Sequence, residues 1–328
     1  MKNRILGKTG YKVSEVGLGC WQLGGDFGPI EDDKAKKILA NAQLNHVNFI
    51  DTADVYGKGK SETLIGNFFP SKRESNNNVI ATKIGRSTDL YPDKYNHKII
   101  EQSIRESAER LQTNSIDLVQ LHCIPTSILK NGIIFEIMDS LVKQGLIKHW
   151  GSSVETLEEA HICIKQPGCS SLQIIFNLFR QDPVWSLFNE AKARKVGIIA
   201  RLPFASGILT GKFSTNHQFD ESDHRNYNRD GAFFSVGETF SGIEQSKAVE
   251  LSSLFEDFVP EGWTLSDFAL RWILDHEAVS TVITGCSEAT QIIQNVSSSK
   301  LPSIPMSNHA KLREIYLSDI KPYIRCPV

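Results

Sequence analysis

The chain has 328 residues, with 36 lysines and arginines against 38 aspartates and glutamates, which gives a formal net charge of -2. This balance argues against nucleic acid as a partner, because proteins that bind a phosphate backbone present a surplus of basic residues. The hydrophobic fraction is 40%, yet no apolar run reaches membrane-spanning length and the first residues lack a signal-peptide core. We therefore expect a globular cytoplasmic protein with no membrane partner; the sequence gives no indication of its oligomeric state.

The six cysteines form neither a C-x-x-C pair nor the His and Cys spacings of a zinc site. Free cysteines usually behave as small apolar residues in protein interiors. We therefore expect reduced, mostly buried thiols, and no metal.

Eight short apolar runs recur along the chain, with helical segments between them. The runs are EVGLGCW, VNFID, NVIATK, DLVQLH, IKHWGSS, LQIIF, GIIAR and TVIT. Near-continuous apolar strands that alternate with helices indicate a parallel sheet covered on both faces, and eight such units predict an α/β fold of the (β/α)8 TIM barrel type. An open doubly wound sheet is the alternative, but GLGCWQLGG lacks the G-x-G-x-x-G spacing of its phosphate loop.

Five segments between the runs are predicted to be helices: DDKAKKILANAQLN, HKIIEQSIRESAERLQ, GIIFEIMDSLVKQGLIK, TLEEAHICIK and TLSDFALRWILDH. The last begins at Thr264 with Asp267 three residues later, which is a capping-box pattern. No interdomain linker is evident, so we expect residues 1–328 to form a single domain. A long loop at about 202–242 interrupts the alternation, and its length favours a lid or a binding loop over a simple connection.

Polar residues occur where the predicted strands end. They are Asp51, Lys83, His122, Ser153, Arg201 and Thr284. In a TIM barrel the active site lies at the carboxyl ends of the strands, so these side chains are expected to meet at one rim. Each residue alone has a structural explanation, such as a cap or a core histidine, but an acid, an amine and an imidazole from successive strands together favour a functional pocket.

Tyr56 follows Asp51 by five residues and therefore lies on the loop above the same rim. A free tyrosine has a pKa near ~10, which is too high for an efficient acid at neutral pH. A neighbouring Lys83 would lower this pKa by stabilising the phenolate, and Asp51 would keep the lysine charged. His122 would then orient a carbonyl oxygen toward Tyr56 by hydrogen bonding.

Asp51, Tyr56, Lys83 and His122, in this order and at these strand ends, resemble the catalytic tetrad of the aldo-keto reductase superfamily. Further similar segments cover nearly the whole chain: RILGKTGYKVSEVGLGCW, FIDTADVYGKGKSETLIG, VIATKIG, RLQTNSIDLVQLH, LVKQGLIKHWGSS, FASGILTGKF and VITGCSEATQIIQN. The resemblance implies a bacterial-type, NAD(P)H-dependent oxidoreductase on a TIM barrel. Such an enzyme reduces an aldehyde or ketone to an alcohol, with Tyr56 as the general acid.

The resemblance also implies which residues bind the cofactor. They are Trp21, Asp51, Ser153, Gln173, Arg201, Phe204, Ser206, Gly207, Leu209, Gly211, Gly285, Ser287, Gln291 and Asn295. Ser153 and Gln173 match residues that bind the nicotinamide carboxamide, but Val154 replaces the asparagine that commonly follows. Arg201 stands where many members have an aromatic residue, and its planar guanidinium group is able to stack in that place.

NADPH is the cofactor that the resemblance implies, with NADH as the alternative. Many members that prefer NADPH carry basic residues near the adenosine, where this chain has the neutral Gly285 and Gln291.

The partner implied by the resemblance is a small-molecule carbonyl substrate. The long loop is polar and of mixed charge, which favours a hydroxylated or sugar-like compound and equally fits a solvated loop; its polar residues are Asp220, Glu221, Asp223, His224, Arg225 and Arg229. Four aromatic residues either line the substrate pocket or simply pack, namely Trp21, Tyr91, Phe233 and Phe234. The alternatives are a cofactor-binding regulatory or sensor subunit on the same barrel with little turnover and, less favoured, an aldolase that uses Lys83.

Overall fold

The computed structural model describes residues 1–69 and 78–328. It begins with an antiparallel hairpin of β1 (Asn3–Ile5) and β2 (Lys12–Ser14). Arg4 joins this hairpin to the barrel, because its Nη1 donates to the carbonyl oxygen of Val279 at 2.8 Å. The hairpin was not expected from the sequence, since each strand has only three residues and shows no clear periodicity.

The next strands form a closed parallel barrel in the described part of the chain. They are β3 (Val16–Gly19), β4 (Phe49–Asp51), β5 (Val79–Ile84), β6 (Ile116–His122), β7 (Ile147–Ser153), β8 (Cys169–Ile175), β9 (Gly197–Arg201) and β10 (Val279–Gly285). They follow one another in chain order around the barrel, and β10 pairs with β3. The TIM barrel prediction is confirmed, and closure rules out the open-sheet alternative.

Helices pack around the barrel. The longer ones are Asp32–Leu44, Lys60–Phe68, His97–Arg110, Ile133–Lys143, Leu157–Ile164, Phe188–Arg194, Gln245–Ser252, Leu265–Leu274, Ala289–Ser298 and Met306–Ile315, and shorter ones are Trp21–Gly24, Thr126–Asn131, Pro183–Ser186 and His224–Tyr227. The five predicted helices are confirmed. The capping box is confirmed as well: Thr264 Oγ1 accepts the Asp267 amide at 3.1 Å, and Asp267 Oδ2 accepts the Thr264 amide at 2.9 Å.

Strand alternation explains why polar side chains collect at one end of the barrel. Phe49 in β4, and Val79 and Ala81 in β5, belong to the apolar cluster that fills the barrel interior. Because side chains two residues apart share a face of a strand, Asp51 and Lys83 also point into the barrel interior, at the carboxyl ends of β4 and β5. The same alternation applies to Leu118, Gln120 and His122 in β6 and to Ile199 and Arg201 in β9.

The segment from 202 to 242 has short ordered turns at Ala205–Thr210, His224–Tyr227, Val236–Glu238 and Phe240–Gly242. The C-terminal tail fastens it, because Arg325 Nη1 lies 2.8 Å from Asp230 Oδ1 and Arg325 Nε donates to the Gly242 carbonyl at 3.1 Å. Within the described residues, no helix has both the length and the apolar character needed to cross a bilayer.

Candidate active site

A buried ion pair lies at the carboxyl ends of β4 and β5. Lys83 Nζ is 2.5 Å from Asp51 Oδ2 and also donates to the Thr52 carbonyl oxygen at 2.8 Å. The other carboxylate oxygen of Asp51 accepts hydrogen bonds from the amides of Gln120 at 3.0 Å and Gln173 at 2.8 Å. Three side chains thus fix the orientation of this carboxylate, which in turn fixes the ammonium group of Lys83.

Tyr56 extends this pair toward the surface, with its hydroxyl 3.3 Å from Lys83 Nζ. Burial raises the pKa of Tyr56 to about 12, since it outweighs the lowering by the adjacent Lys83 charge. The sequence argument considered only the lysine, so the expected net lowering of this pKa is corrected here. For Lys83, burial disfavours the charged form, but Asp51 and Tyr56 outweigh it and raise the pKa of the lysine. At neutral pH Tyr56 is therefore a phenol that lies beside the ammonium group of Lys83.

His122 faces Tyr56 across the site, with ring centroids 5.9 Å apart and ring planes at 85°. Burial lowers the pKa of His122 well below its usual range, and the nearby Arg86 and Lys83 charges lower it further. Its Nδ1 is buried without a hydrogen-bond partner among the described residues. A neutral imidazole in this place is able to donate one N–H to a carbonyl oxygen.

Two cavities open above these residues. The larger is a groove of about 340 Å³ and the smaller has about 310 Å³. Both are lined by Trp21, Tyr56, His122 and Glu238. Lys83 lines neither cavity, and its ammonium group contacts their wall at the Tyr56 hydroxyl.

Most of the predicted cofactor residues line the larger groove. They are Trp21, Asp51, Ser153, Gln173, Arg201, Phe204, Ser206, Gly207, Gly285, Ser287, Gln291 and Asn295. Leu209 and Gly211 belong to the same turn but do not line the groove; Leu209 is fully buried in the core. Their places are taken by Thr210 and Lys212, which the sequence analysis did not single out.

The groove has the features that a nicotinamide dinucleotide requires. Gly207 has a φ of 100° in the turn after β9, a conformation that glycine adopts without strain. At Gly285 a Cβ atom would lie 2.0 Å from Gln22 Nε2, so a side chain there would displace the Gln22 amide, which also lines the groove. Lys212 supplies a cation for phosphate groups, and Ser153 supplies a hydroxyl in the same groove as Tyr56 and His122. The residues present fit the cofactor.

Comparison with known proteins agrees with this site. The model of the aldo/keto reductase family matches residues 15–317. The chain belongs to the aldo/keto reductase family. It is 29% identical over 303 residues to the uncharacterized oxidoreductase YqkF of Bacillus subtilis (strain 168), a match that covers 90% of each chain. As a member of this family, the protein is an NAD(P)H-dependent oxidoreductase.

Solved structures of similar fold include aldo-keto reductase AKR11C1 from Bacillus halodurans in its holo form. That likeness has a TM-score of 0.77 at 23% identity and covers 99% of this chain and 100% of the other. An aldo-keto reductase from Klebsiella pneumoniae in complex with NADPH aligns with a TM-score of 0.69 at 20% identity, over 96% of this chain and 95% of the other. Both likenesses support the barrel fold of the reductase.

Arg201 of the reductase is held by protein groups on the groove wall. Its Nη2 donates to the Val154 carbonyl oxygen at 3.2 Å, and its Nη1 lies 3.5 Å from Glu238 Oε2. These contacts fix the plane of the guanidinium group beside the groove. Thr284, by contrast, does not reach the rim, because its hydroxyl donates to the Gly17 carbonyl oxygen between β10 and β3.

The long loop packs across the end of the site. The Trp21 indole stacks on Tyr56 with centroids 5.8 Å apart and donates to Asp26 Oδ2 at 2.9 Å. His224 from the loop packs on Trp21 at 4.6 Å, and Arg225 stacks on Phe27 at 5.2 Å. The loop therefore closes over the segment that follows β3, as a lid or binding loop would.

The smaller cavity is lined by all four aromatic residues considered in the sequence analysis, namely Trp21, Tyr91, Phe233 and Phe234. Of the polar loop residues, Asp220, Glu221 and Arg229 line neither cavity in the described structure. The polar composition of the loop therefore gives no support to a sugar-like substrate.

The sequence analysis missed a charged cluster in the smaller cavity. Arg86 Nη2 donates to Glu155 Oε1 at 2.7 Å and also to Glu238 Oε1. Arg86 and Glu155 follow β5 and β7 by two residues each, so extending the search past the strand ends would have found them; Glu238 gave no such signal. Together with Cys123 the two glutamates form a potential metal-ligand set, but the guanidinium groups already bind these carboxylates and oppose a cation.

Proposed function

We propose that the protein reduces an aldehyde or ketone to the alcohol, with Tyr56 as the proton donor and NADPH as the cofactor, NADH being the alternative. The observation that carries this proposal is the Asp51–Lys83–Tyr56 chain of contacts facing His122 where the two cavities meet. When bound, the reduced nicotinamide supplies the hydride that the carbonyl carbon accepts.

Tyr56 gives its proton to the carbonyl oxygen as negative charge develops there. With a pKa of about 12, the phenol is fully protonated at neutral pH but is a weak acid, so its proton moves only as the carbonyl oxygen becomes an alkoxide, which is a stronger base than the phenolate. Its phenolate then forms 3.3 Å from the Lys83 ammonium group, which stabilises it. Because the site is buried, this charge interaction is stronger than it would be in water.

His122 positions the substrate. As a neutral imidazole it donates a hydrogen bond to the substrate oxygen without acting as a second acid beside Tyr56. Its ring stands nearly perpendicular to Tyr56, so an oxygen atom between the two rings meets both donors. Trp21, stacked on Tyr56, closes one side of this space.

The choice between NADPH and NADH depends on the groove. The NADPH complex of the Klebsiella relative supports NADPH, and Lys212 provides one cation in the groove. Gly285, Ser287 and Gln291 are neutral, and Gln291 Oε1 already accepts the Ser287 amide at 2.8 Å. These neutral residues keep NADH as the alternative.

The test is to titrate the purified protein with NADPH and NADH and then to follow oxidation of the reduced cofactor with methylglyoxal, nitrobenzaldehyde and free sugars. Tyr56→Phe is expected to lower kcat by about 100-fold or more, the usual size of a lost general acid, with unchanged cofactor affinity. Tyr323→Phe is the matched control, because Tyr323 is an exposed residue outside both cavities.

Two results would count against the proposal in different ways. Tight cofactor binding without turnover of any carbonyl would favour the regulatory or sensor alternative. Binding of neither cofactor would overturn the proposal as a whole.

A further inference from the structure

The smaller cavity has a charged wall next to the catalytic residues. Glu238 lies between two guanidinium groups, since its Oε1 accepts from Arg86 Nη2 and its Oε2 lies 3.5 Å from Arg201 Nη1. Glu155 binds the same nitrogen of Arg86 at 2.7 Å. The four side chains come from the ends of three different strands and from the long loop, so the cluster exists only in the folded barrel.

The two glutamates of the cluster are not equivalent. Glu238 is buried, and its pKa is held well below the usual range because the attraction of Arg86 and Arg201 outweighs the effect of burial. Burial, together with the neighbouring Glu238 carboxylate, raises the pKa of Glu155 to about 8. The cluster therefore holds two guanidinium groups, the ionised Glu238 carboxylate, and Glu155, whose charged form is disfavoured by burial and by Glu238.

Arg86 has donors to spare. Its contacts with the two glutamates use only Nη2, and no hydrogen bond from its Nε or Nη1 occurs within residues 1–69 and 78–328. Arg86 lines the smaller cavity together with Tyr56 and His122, and its charge contributes to the lowered pKa of His122. A free guanidinium edge thus lies in the same cavity as the proton donor.

The other acid on this cavity wall is already engaged. Asp26 accepts the Trp21 indole N–H at 2.9 Å, whereas the ion pairs of Arg86 within the described residues are with Glu155 and Glu238. Asp26 therefore does not neutralise the guanidinium edge of Arg86.

We propose that the substrate is a small carbonyl compound that carries a carboxylate, and that Arg86 binds this carboxylate through its free Nη1 and through Nη2, from which Glu155 is displaced. This inference rests on the proposed reductase function and adds the substrate class. A carboxylate matches the planar fork of a guanidinium group, which binds it through two parallel hydrogen bonds. The aromatic residues Tyr91, Phe233 and Phe234 line the same cavity and provide an apolar surface for the body of the substrate.

Because the pKa of Glu155 is raised, this residue can take up a proton as it leaves Arg86, so that no unpaired carboxylate remains in the cavity. With the substrate carboxylate bound, Arg86 and Arg201 then face two anions, the substrate and Glu238. Besides Arg86, the titratable and charged groups that face Glu155 include Glu238, Arg201 and the Cys123 thiol.

The test compares para-carboxybenzaldehyde with its neutral isostere para-carbamoylbenzaldehyde, using the holoenzyme at pH 7. Wild-type protein is expected to show a kcat/KM at least about 10-fold higher for the carboxylate, the size of one charge-assisted hydrogen bond. A para-trimethylammonio analogue is expected to be the poorest substrate. Equal or inverted preference, with the neutral aldehyde turned over, would overturn the carboxylate proposal and leave the reductase function intact. Lack of turnover of all three aldehydes would overturn both.

Variants of Arg86 and Glu155 test whether Arg86 causes the preference for the carboxylate over the carboxamide. Arg86→Met is expected to reduce the carboxylate-to-carboxamide ratio of kcat/KM by about 10-fold or more, and Arg86→Lys by less, because lysine keeps the charge without the fork. Glu155→Gln is expected to raise the ratio at about pH 9, where the competing wild-type carboxylate is ionised. Arg229→Met is the control, since Arg229 is exposed and lines neither cavity. A ratio that is the same in the two Arg86 variants and in Glu155→Gln as in the wild type would contradict the proposal.

Discussion

Lys83 Nζ lies 2.5 Å from Asp51 Oδ2, and the two side chains are only 1% and 2% exposed. A buried ion pair contributes little net stability, because desolvation of both charges offsets their attraction. Removal of one partner is costly, however, since the other charge is then left in the interior. The pair is therefore best understood as a device that keeps a charged ammonium group next to Tyr56.

Asp51→Asn tests this relationship. The variant retains a side-chain oxygen for Gln120 and Gln173 but removes the counter-charge of Lys83. We expect the free energy of unfolding to fall by about 3 kcal/mol, as for other buried pairs that lose one partner, together with most of the activity. Denaturant unfolding measures this change. Asp230→Asn is the control, because its pair with Arg325 is exposed and is worth about 1 kcal/mol at most. Equal losses in both variants would contradict this account.

The raised pKa of Tyr56 predicts the pH dependence of the reaction. The donor must be protonated, and a phenol with a pKa of about 12 stays protonated far above neutral pH. We expect kcat/KM for a neutral aldehyde to remain flat up to about pH 10, with no loss that belongs to Tyr56. The measurement is the pH profile of kcat/KM for the wild-type enzyme. A decline centred near pH 9 that disappears in Lys83→Met would show that the lysine outweighs burial.

Asp54 predicts a pH-dependent change in stability. Its Oδ1 is buried without a partner among the described residues, and burial together with Glu62 raises its pKa to about 7. Because the folded pKa lies above the unfolded value, the folded state binds more protons and stability falls as pH rises toward 7. Asp54→Asn removes this loss. We expect its gain in melting temperature over the wild type to be larger at pH 8 than at pH 5; an equal gain at both would exclude a titrating Asp54.

The strands, and the convergence of Asp51, Lys83 and His122 at one end of the barrel, were predictable because both depend on local patterns. An apolar run followed by Asp51, Lys83 or His122 already specifies a strand whose last inward-facing residue is polar. What the sequence does not contain is the balance of burial against charge, so the net shift of the Tyr56 pKa was predicted in the wrong direction. That balance depends on how completely the surrounding loops exclude water.

The charged cluster in the smaller cavity was missed for a different reason. Glu238 reaches Arg86 and Arg201 only because the loop after β9 folds back over the barrel rim. No periodicity or spacing relates residue 238 to residue 86 along the chain. The hairpin of β1 and β2 was missed because strands of three residues are too short to show alternation.

The loop that carries Arg225 makes the last prediction, which concerns cofactor exchange. Arg225 pairs with Asp223 at 2.5 Å, donates to the Ser206 carbonyl oxygen at 3.3 Å, and stacks on Phe219 at 4.2 Å and on Phe27 at 5.2 Å. It thus joins the loop to the turn after β9 and to the segment after β3, on the wall of the cofactor groove.

Arg225→Ala removes these contacts together and is expected to speed release of the reduced cofactor by about 10-fold, because cation–π and buried ion-pair contacts of this kind contribute about 1 to 3 kcal/mol. Stopped-flow fluorescence with excess unlabelled oxidised cofactor measures the dissociation rate directly. Arg229→Ala is the matched control and should leave the rate unchanged, because Arg229 is on the same loop but its side chain is 56% exposed. If both variants release the cofactor at the wild-type rate, the contacts of Arg225 do not hold the groove closed.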